Sequence, residues 1–342
     1  MTAPHNATLR TPGADELVGI TIATKNRPAY LAALLGSLIN QTHRRWSLVV
    51  IDQSDEPVAP HATIADLLDV VLSADHTVTV IRSTDPRRRY QQCMEAVPEP
   101  IEFVLRVDDD VVLQPEFLAE VLRPFRLLMD RRLAAVGGCL PGAGMQPLSW
   151  HVVQDEWMPR VDRPTWKLQG HSYSRSEIIE VESLWGAAMC YRRSAAVAAG
   201  GWAVDGYSEQ IFREDSDMSA RWLAAGYDLA VTTAARGWHL VAPGGGSRDV
   251  RKGSDGNVFV SHRESFAADD RLFQQRVSAL LAHGVSRSAF RRYRLADLER
   301  GVVAPAPFLT ALHRLRHRIG RGAYALLRPL RDAVRYVAGE AR

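Results

Sequence analysis

Strand-like and helix-like segments alternate from residue 18 to residue 125, and this alternation restricts the fold more than any other feature of the chain. Strands are predicted at residues 18–23, 46–51 and 77–81. Apolar residues at helical spacing follow the first two strands, from Pro28 to Ile39 and from Ile64 to Val71, and helix-forming sequence follows the third at residues 88–97. Because parallel strands need such crossovers, the pattern predicts an α/β fold with a parallel, doubly wound sheet.

A fourth strand, at residues 101–107, ends in three consecutive acids, Asp108, Asp109 and Asp110. Adjacent carboxylates repel one another, and a cation at the carboxyl edge of the sheet, where open α/β sheets bind ligands, would stabilise them. Oxygen ligands of this kind favour Mg²⁺ or Mn²⁺. The alternative is an acidic surface turn that caps the helix beginning near Pro115, and the triplet alone favours neither interpretation.

A second acidic pair, Glu214 and Asp215, precedes a helix whose buried stripe is formed by Met218, Trp222 and Ala225. Asp215 therefore lies at the helix N-terminus. A lone aspartate in this position is ordinarily a cap for backbone amides, although a capping carboxylate can also act as a general base.

A histidine, His239, follows the strand predicted at residues 228–234. A single histidine in apolar sequence is more often a hydrogen-bonded core residue than a metal ligand. The combination is more informative, because a carboxylate cluster, a helix-terminal acid and an imidazole can hold a divalent ion on a phosphate and deprotonate a hydroxyl beside it.

Six stretches, in this order and spacing, resemble the inverting family 2 glycosyltransferases of the GT-A fold. The resemblance covers roughly residues 17 to 245. It implies a Rossmann-like mixed sheet flanked by helices, and transfer of a sugar from a nucleotide diphosphate sugar to an acceptor hydroxyl with inversion. Cell-envelope glycan, glycolipid or natural-product glycosylation would be the setting, with a sugar, a lipid-linked molecule or a small molecule as acceptor. The matching stretches are residues 21–27, 49–55, 106–110, 185–193, 214–218 and 237–239.

The resemblance also implies which residues contact the nucleotide. Ala23 and Thr24 would lie at the edge of the nucleotide, and Asp52 near its base or ribose. Gln53 stands where the family often has a second acid or Asn, which leaves the choice of base open. Arg89, the last of three adjacent arginines, falls where family members place a cation against the diphosphate, a role that suits the planar donors of guanidinium.

The acidic triplet and the histidine receive their roles from the same resemblance. Asp108 would contact the ribose, and Asp109 would support the site or reach the donor sugar. Asp110 and His239 would bind the metal, Mn²⁺ or Mg²⁺.

The resemblance also implies that the second acidic pair activates the acceptor. Asp215 would be the general base, and Glu214 would shape the acceptor pocket. The Gly-rich, basic residues 244–256 could close over the diphosphate, or could form a linker.

Charge and cysteine content exclude some other classes of protein. The net charge of +3 gives no reason to expect a nucleic acid partner. Three widely spaced cysteines suit reduced thiols, the first sixteen residues lack an apolar signal core, and no apolar run approaches the length of a membrane span. We therefore expect a cytoplasmic protein, either free or peripheral on the inner face of the plasma membrane.

Three regions are predicted: a disordered leader at residues 1–16, a catalytic domain at residues 17–265 and a helical, basic region at residues 266–342. The catalytic domain would divide into a nucleotide-binding half, residues 17–140, and an acceptor half with a flexible lid, residues 141–265. Aromatic residues between 146 and 182 suit either stacking on an acceptor or filling a small core. They are Trp150, His151, Trp157, Trp166, His171 and Tyr173.

The C-terminal residues 286–342 carry thirteen arginines against four acids. Apolar residues recur there at three- and four-residue intervals, which predicts a basic amphipathic helix pair broken near Gly320 or Gly322. Such helices can lie in an anionic membrane interface or dock on protein. The apolar positions are Phe308, Leu312, Leu315, Ile319, Ala323, Leu326, Leu330, Val334 and Val337.

Two other functions compete with sugar transfer. A nucleotidyltransferase acting on a sugar phosphate also sets acids at the edge of such a sheet, but usually has a Gly-rich loop after the first strand, which residues 23–28 lack. A non-catalytic, membrane-associated module built around the basic tail would not need the acidic signals to survive together.

Overall fold

The alternating segments form one large mixed sheet in the computed structural model of the protein. The structure describes residues 9–140, 160–162, 167–169, 177–202, 205–242, 244–246, 250–252, 258–260, 263–282, 291–307 and 310–311. Helices flank the sheet, and the predicted α/β class is confirmed.

The first half of the chain follows the predicted order of strands and helices closely. Pro28 opens α1, as its fixed φ angle favours at the first helical turn. The elements are β1 (Val18–Thr24), α1 (Pro28–Ile39), β2 (Trp46–Asp52), α2 (Ala62–Ser73), β3 (Thr77–Arg82), α3 (Arg89–Ala96), β4 (Phe103–Asp108), β5 (Val111–Leu113), α4 (Phe117–Leu127) and β6 (Leu133–Cys139).

The second half is less regular and includes two short hairpins outside the main sheet. Its elements are β7 (Arg160–Asp162), β8 (Lys167–Gln169), β9 (Glu177–Val181), β10 (Ala188–Arg192), α5 (Arg193–Ala198), α6 (Glu214–Ala224), β11 (Asp228–His239), β12 (Val250–Lys252), β13 (Val258–Val260), α7 (Arg263–Ala282), β14 (Arg292–Arg294) and α8 (Leu295–Glu299). The hairpins are β7–β8 and β12–β13.

The main sheet has the strand order β14-β9-β11-β6-β10-β4-β1-β2-β3, with β5 paired to β11. Strands β3, β2, β1 and β4 are parallel, as predicted. Strand β10 lies antiparallel between β4 and β6, so the sheet is mixed, as the family resemblance implied, rather than wholly parallel.

Both faces of the sheet are covered because its strands alternate apolar side chains between two hydrophobic clusters. On β2, Leu48 and Val50 face the cluster that α1 and α4 complete, whereas Val49 and Ile51 face the cluster around α3 and α6. Burial on both faces explains why these strands are continuously apolar in sequence.

Two predicted regions differ from the structure. Residues 9–16 were assigned to a disordered leader, but Glu16 is buried, its carbonyl lies 2.7 Å from His43 Nε2, and Arg192 hydrogen-bonds the carbonyl of Arg10. Strand β14 interrupts the region predicted to be helical and pairs with β9 at the sheet edge. The reason is a buried ion pair between Arg292 and Glu177, which charge patterning alone does not reveal.

Several predictions concern residues outside the described part of the chain. They are the six aromatic residues between 146 and 182, residues 247–249 and 253–257 of the Gly-rich segment, and the C-terminal helix pair from Phe308 onward apart from residues 310–311. Among the described helices, none has the length and apolar character needed to cross a bilayer.

Candidate active site

The predicted site residues converge at one edge of the sheet because parallel strands end there together. The register pairs Thr24 of β1 with Asp52 of β2, and Ala23 with Asp108 of β4. Strand β10 runs in the opposite direction, so its beginning lies at the same edge, where Asp108 N donates to Ala187 O over 2.9 Å. The acids at the end of β4 therefore lie beside the loop that precedes β10.

A cavity at this edge, here called the Asp110 cavity, contains most of the predicted nucleotide and metal residues. Side-chain ligand atoms of Asp108, Asp110 and His239 lie within 4.8 Å of one another. His239 Nε2 is 3.1 Å from Asp110 Oδ1, and Asp110 Oδ2 accepts the Ala242 N–H over 2.9 Å. The lining residues are Ala23, Thr24, Lys25, Arg27, Gln53, Arg89, Tyr90, Asp108, Asp109, Asp110, His239, Val241, Ala242 and Gly246.

The environment of Asp110 keeps it ionised. Burial opposes ionisation, but the hydrogen bond and charge of His239, the Ala242 N–H and the nearby Arg27 outweigh it and lower the pKa of Asp110 to about 2. An ionised carboxylate beside an imidazole and a second carboxylate is a donor set that a divalent cation can use. This fits the metal role that the resemblance implied for Asp110 and His239, and adds Asp108 to the group.

The middle acid, Asp109, points into the protein and is held by protein groups. Its oxygens accept hydrogen bonds from Thr24 Oγ1 over 2.8 Å and from Arg27 Nη1 over 3.0 Å. Burial raises the pKa of Asp109 to about 6, even though Arg27 and Thr24 favour the charged form. Asp109 is thus held by Thr24 and Arg27, and the two roles expected for it stay predictions.

Arg27, for which the sequence predicted no role, forms ion pairs with two acids of the triplet. Its guanidinium contacts Asp109 and Asp110, and also donates to the carbonyls of Gly244 and Gly245. Gly245 has a φ of +68°, and a Cβ at this position would lie 2.7 Å from Arg27 Cγ. Only glycine fits this close approach, so the start of the Gly-rich segment lies against Arg27.

Asp52, which was expected to bind the nucleotide, does not line the cavity. Asp52 is fully buried beneath the cavity, where it accepts N–H bonds from Ser54 and Val58 and a salt bridge from Arg82. These donors outweigh the effect of burial and lower the pKa of Asp52. Its neighbour Gln53 lies in the cavity wall instead.

Arg89 lies in the cavity wall, and its guanidinium forms hydrogen bonds with backbone carbonyls. It donates to the carbonyls of Pro86, Glu209 and Gln210, and its guanidinium carbon lies 4.9 Å from the centre of the Tyr90 ring. Arg88 pairs with Glu95 at the surface. Arg89 therefore joins the start of α3 to the loop before α6.

A second cavity, here called the Asp215 cavity, adjoins the first. Asp215 Oδ2 accepts the Gly186 N–H over 2.8 Å, and Oδ1 accepts the Ser216 N–H over 2.6 Å. The helix begins at Glu214 with Arg213 as its N-cap residue, and no side-chain cap bond is formed. Asp215 therefore satisfies one backbone amide of the first helical turn, as the capping alternative predicts, while its other oxygen is bound by the loop before β10. The lining residues are Arg106, Asp108, Trp185, Gly186, Ala187, Phe212, Arg213, Glu214, Asp215, Ser216 and His239.

Glu214 is buried and forms an ion pair with Arg106 of β4, with 2.7 Å between Oε1 and Nη2. Burial would lower the pKa of Arg106, but the nearby Tyr90, Glu214, Asp108 and Asp215 outweigh it and raise that pKa, so the guanidinium stays charged. The sequence signal for this pair was a single charge inside an apolar strand, because such a charge needs a buried partner.

The two cavities share Asp108 and His239 in their walls. The possible metal ligands therefore separate the space lined by Thr24 and Gln53 from the space lined by Asp215. A molecule that fills the first cavity would present its far end to a hydroxyl held in the second. Trp185, nearly half exposed, forms part of the outer wall beside Asp215.

Comparison with known proteins places this site in a family. The model of the family described as glycosyl transferase family 2 matches residues 20–197, more than half of the chain. The chain belongs to glycosyl transferase family 2. This membership confirms the resemblance and makes the protein a glycosyltransferase. The matched region includes the acidic triplet, whereas Asp215 and His239 lie beyond it. No curated protein matches the sequence.

Two solved structures are similar to this chain at low sequence identity. The mannosyltransferase PcManGT from Pyrobaculum calidifontis, in complex with GDP-Man and Mn²⁺, has a TM-score of 0.50 and 12% identity, over 97% of this chain and 84% of that one. It supports the GT-A fold. TarS from S. aureus has a TM-score of 0.45 and 14% identity over 78% of this chain, which spans only 42% of TarS.

Proposed function

We propose that this family 2 glycosyltransferase moves a sugar from a nucleotide diphosphate sugar to an acceptor hydroxyl, with divalent metal and with inversion. The observation that carries the proposal is the junction of the two cavities. The donor would occupy the Asp110 cavity, and the acceptor would occupy the Asp215 cavity. Asp108 and His239, shared by both walls, mark where the reacting groups would meet.

The nucleoside would lie against β1 and the loop after β2. Ala23, Thr24 and Gln53 line this part of the Asp110 cavity, and Asp108 is partly exposed beside them. PcManGT holds GDP-Man on the same fold, which supports a nucleotide sugar as the ligand class. The wall does not distinguish among bases, because Gln53 offers both a donor and an acceptor.

Asp108, Asp110 and His239 would hold the divalent ion. A bound ion would supply Lewis-acid stabilisation of the negative charge on the departing nucleotide diphosphate. The imidazole nitrogen favours Mn²⁺ over Mg²⁺, since Mg²⁺ prefers oxygen ligands. Arg27, already bound to Asp109 and Asp110, adds a fixed positive charge on the same side.

Asp215 would remove the proton from the acceptor hydroxyl. Its carboxylate is half-buried at the wall of the Asp215 cavity, and two backbone N–H groups fix its orientation. A general base must lie within hydrogen-bond reach of the proton that it accepts, and a fixed carboxylate satisfies this without rearrangement. A hydroxyl attacking from the Asp215 cavity would approach the sugar opposite to the diphosphate, which gives inversion by single displacement.

The test is nucleotide sugar hydrolysis by the full chain, because water can replace the unknown acceptor. With Mn²⁺, we expect the release of nucleoside diphosphate. A nucleotidyltransferase working in reverse would instead need added pyrophosphate, and would convert the nucleotide sugar and the pyrophosphate into nucleoside triphosphate and sugar phosphate. Asp110→Ala should weaken nucleoside diphosphate binding at least about tenfold by calorimetry, since it removes one ligand of the ion.

The matched control for this variant is Asp130→Ala, a largely exposed acid outside both cavities. Unchanged affinity of Asp110→Ala, or affinity that chelator does not alter, would contradict metal-dependent binding. No release of nucleoside diphosphate from any nucleotide sugar would contradict the proposed reaction.

A further inference from the structure

Arg106 is a buried charge in the middle of the central strand β4, and it has no role in the reaction proposed above. Its side chain is 4% exposed, as is that of its partner Glu214. Its Nη2 also lies 3.9 Å from Asp108 Oδ1. The guanidinium therefore lies between the acids of the Asp110 cavity and the acids of α6.

Two aromatic rings contact this guanidinium in addition to Glu214. Its central carbon lies 3.5 Å from the centre of the Tyr90 ring and 4.9 Å from the Trp202 ring. Nε and Nη1 have no hydrogen-bond partner among the described residues. Leaving two buried donors unpaired costs stability, and a buried ion pair is seldom a net source of it. The stability of the fold thus does not account for a charge at this position.

The guanidinium also lies against Gly186, the residue that fixes Asp215. A Cβ on Gly186 would come within 2.5 Å of Arg106 Nη2, so the loop before β10 rests directly on the guanidinium. The same Gly186 donates its N–H to Asp215 Oδ2. Arg106 therefore contacts Glu214 directly and is connected to Asp215 through Gly186.

We infer that Arg106 is a positioning residue that sets the orientation of the Asp215 carboxylate, through Gly186 and Glu214, and does not itself bind substrate. This inference rests on the proposed role of Asp215 as the base. The guanidinium offers a flat surface for Gly186 and a fixed charge for Glu214, a combination that methionine lacks and that lysine reproduces only in charge. Small displacements of a base cost large factors in rate, so the effect appears in turnover rather than in donor binding.

The experiment compares Arg106→Met with Arg106→Lys in the full chain. The matched control is Arg292→Met, which breaks the pair with Glu177, whose side chains are 2% and 3% exposed at the far edge of the sheet. For Arg106→Met, we expect the kcat for nucleotide sugar hydrolysis to fall about 100-fold while the donor Kd stays within about twofold. Arg106→Lys should recover part of the loss, and Arg292→Met should lower the melting temperature with kcat per folded molecule unchanged.

A double variant separates positioning from folding. Arg106→Met with Glu214→Met replaces the ion pair by apolar side chains, which restores stability when one broken partner is the cause of its loss. We expect the melting temperature to recover and kcat to remain low. Recovery of both, or a kcat of Arg106→Met within about twofold of the parent, overturns the inference.

Amide hydrogen exchange at Gly186 tests the inference without any turnover. Loss of the support beneath Gly186 should weaken its bond to Asp215 and speed exchange of this amide in Arg106→Met, but not in Arg292→Met. Unchanged protection overturns the inference even if no substrate is known. A parent enzyme that releases no nucleoside diphosphate from any nucleotide sugar would instead count against the proposed function, and the exchange result would still decide the role of Arg106.

Discussion

At the residue scale, Asp215 shows how one carboxylate is held by parts of the chain that are distant in sequence. Gly186 and Ser216 each donate a backbone N–H to a different oxygen of Asp215. Both oxygens thus point toward donors, while the side chain remains half-buried at the cavity wall. Because two such bonds fix the rotamer of Asp215, a substitution by Asn can remove the basicity of the side chain with little displacement.

Asp215→Asn should lower the kcat for nucleotide sugar hydrolysis by about 10²- to 10⁴-fold, because the amide cannot accept the proton. The amide also turns its NH₂ toward one of the two backbone donors, which should cost about 1–3 kcal/mol of stability. The donor Kd should change little by calorimetry.

Asp217→Asn is a suitable control for this variant, since Asp217 lies in the same helix but pairs with Tyr207 and Arg221. It should lose stability without a comparable loss of kcat. Nearly full hydrolysis by Asp215→Asn would make that residue structural and require another base.

The residues of the site differed in how well the sequence revealed them. The acidic triplet and His239 were found because a ligand set leaves a visible pattern of charge at strand ends. Arg27 and Arg106 were missed as site residues because their importance depends on contacts across the sheet, such as the 2.7 Å pair with Glu214. Asp52 was misleading for the same reason, because its carboxylate turns inward to Ser54 and Val58.

At the element scale, α7 secures the turn that leads into the acidic pair of α6. Asp269 is buried and accepts hydrogen bonds from Ser208 N, Ser208 Oγ and Phe212 N, and Asp270 pairs with Arg213. Within this turn, Ile211 and Arg213 have positive φ angles of 42° and 83°. Left-handed backbone at non-glycine residues costs about 1–3 kcal/mol each, so the helix must hold the turn in place.

Asp269→Asn should lower the free energy of unfolding by about 1–3 kcal/mol, because the amide can satisfy fewer of its three donors. The turn would relax, and the kcat for hydrolysis should fall several-fold more than stability alone explains. Urea unfolding and initial rates measure the two effects.

Asp270→Asn is the matched control for Asp269→Asn, and it should have a smaller effect on stability. The ion pair of Asp270 with Arg213 is partly exposed, and such pairs contribute about 0–1 kcal/mol. Equal stability of both variants and the parent would show that α7 does not hold the turn.

Secondary structure was predictable from sequence where its period was strong. Helix α1 buries Leu31, Leu34, Leu35 and Leu38, in agreement with the helical spacing of apolar residues between Pro28 and Ile39. The direction of β10 was not predictable, since a strand of five buried residues carries no signal of whether it is parallel or antiparallel. Strand β14 was missed because three residues rich in arginine resemble exposed helix, and only the partner Glu177 reveals their burial.

At the scale of the whole molecule, the basic C-terminal residues extend beyond the last described contacts. Arg292 N donates to Thr310 Oγ1, and Ala306 N donates to Arg292 O, so the chain is tied to the sheet edge as far as residue 310. We propose that the residues after 311, with their excess of arginine, bind an anionic membrane surface, which is one of the two alternatives that the sequence left open.

The full chain should therefore sediment with vesicles containing anionic lipid at low salt, and not with neutral vesicles. Basic residues near an anionic surface contribute roughly 1 kcal/mol each, so binding should weaken as salt rises. A chain ending at residue 311 keeps the Thr310 bond and is the matched control, and it should not sediment. Equal behaviour of both chains, with a lower melting temperature after truncation, would indicate that the tail docks on protein.

Strand β10 joins two halves of the sheet, and this has a consequence for how the chain reaches its folded state. Strands β1 to β4 on one side and β6, β9, β11 and β14 on the other meet only through β10 along the strand order. Until β10 is in place, β4 and β6 each present an unpaired edge, which favours association with other chains. Its pairings with β4 span about eighty residues of sequence, and closing such long loops slows folding. A ribosome-bound chain that stops before residue 188 would expose both edges, so we expect aggregation during synthesis to be most severe at that length.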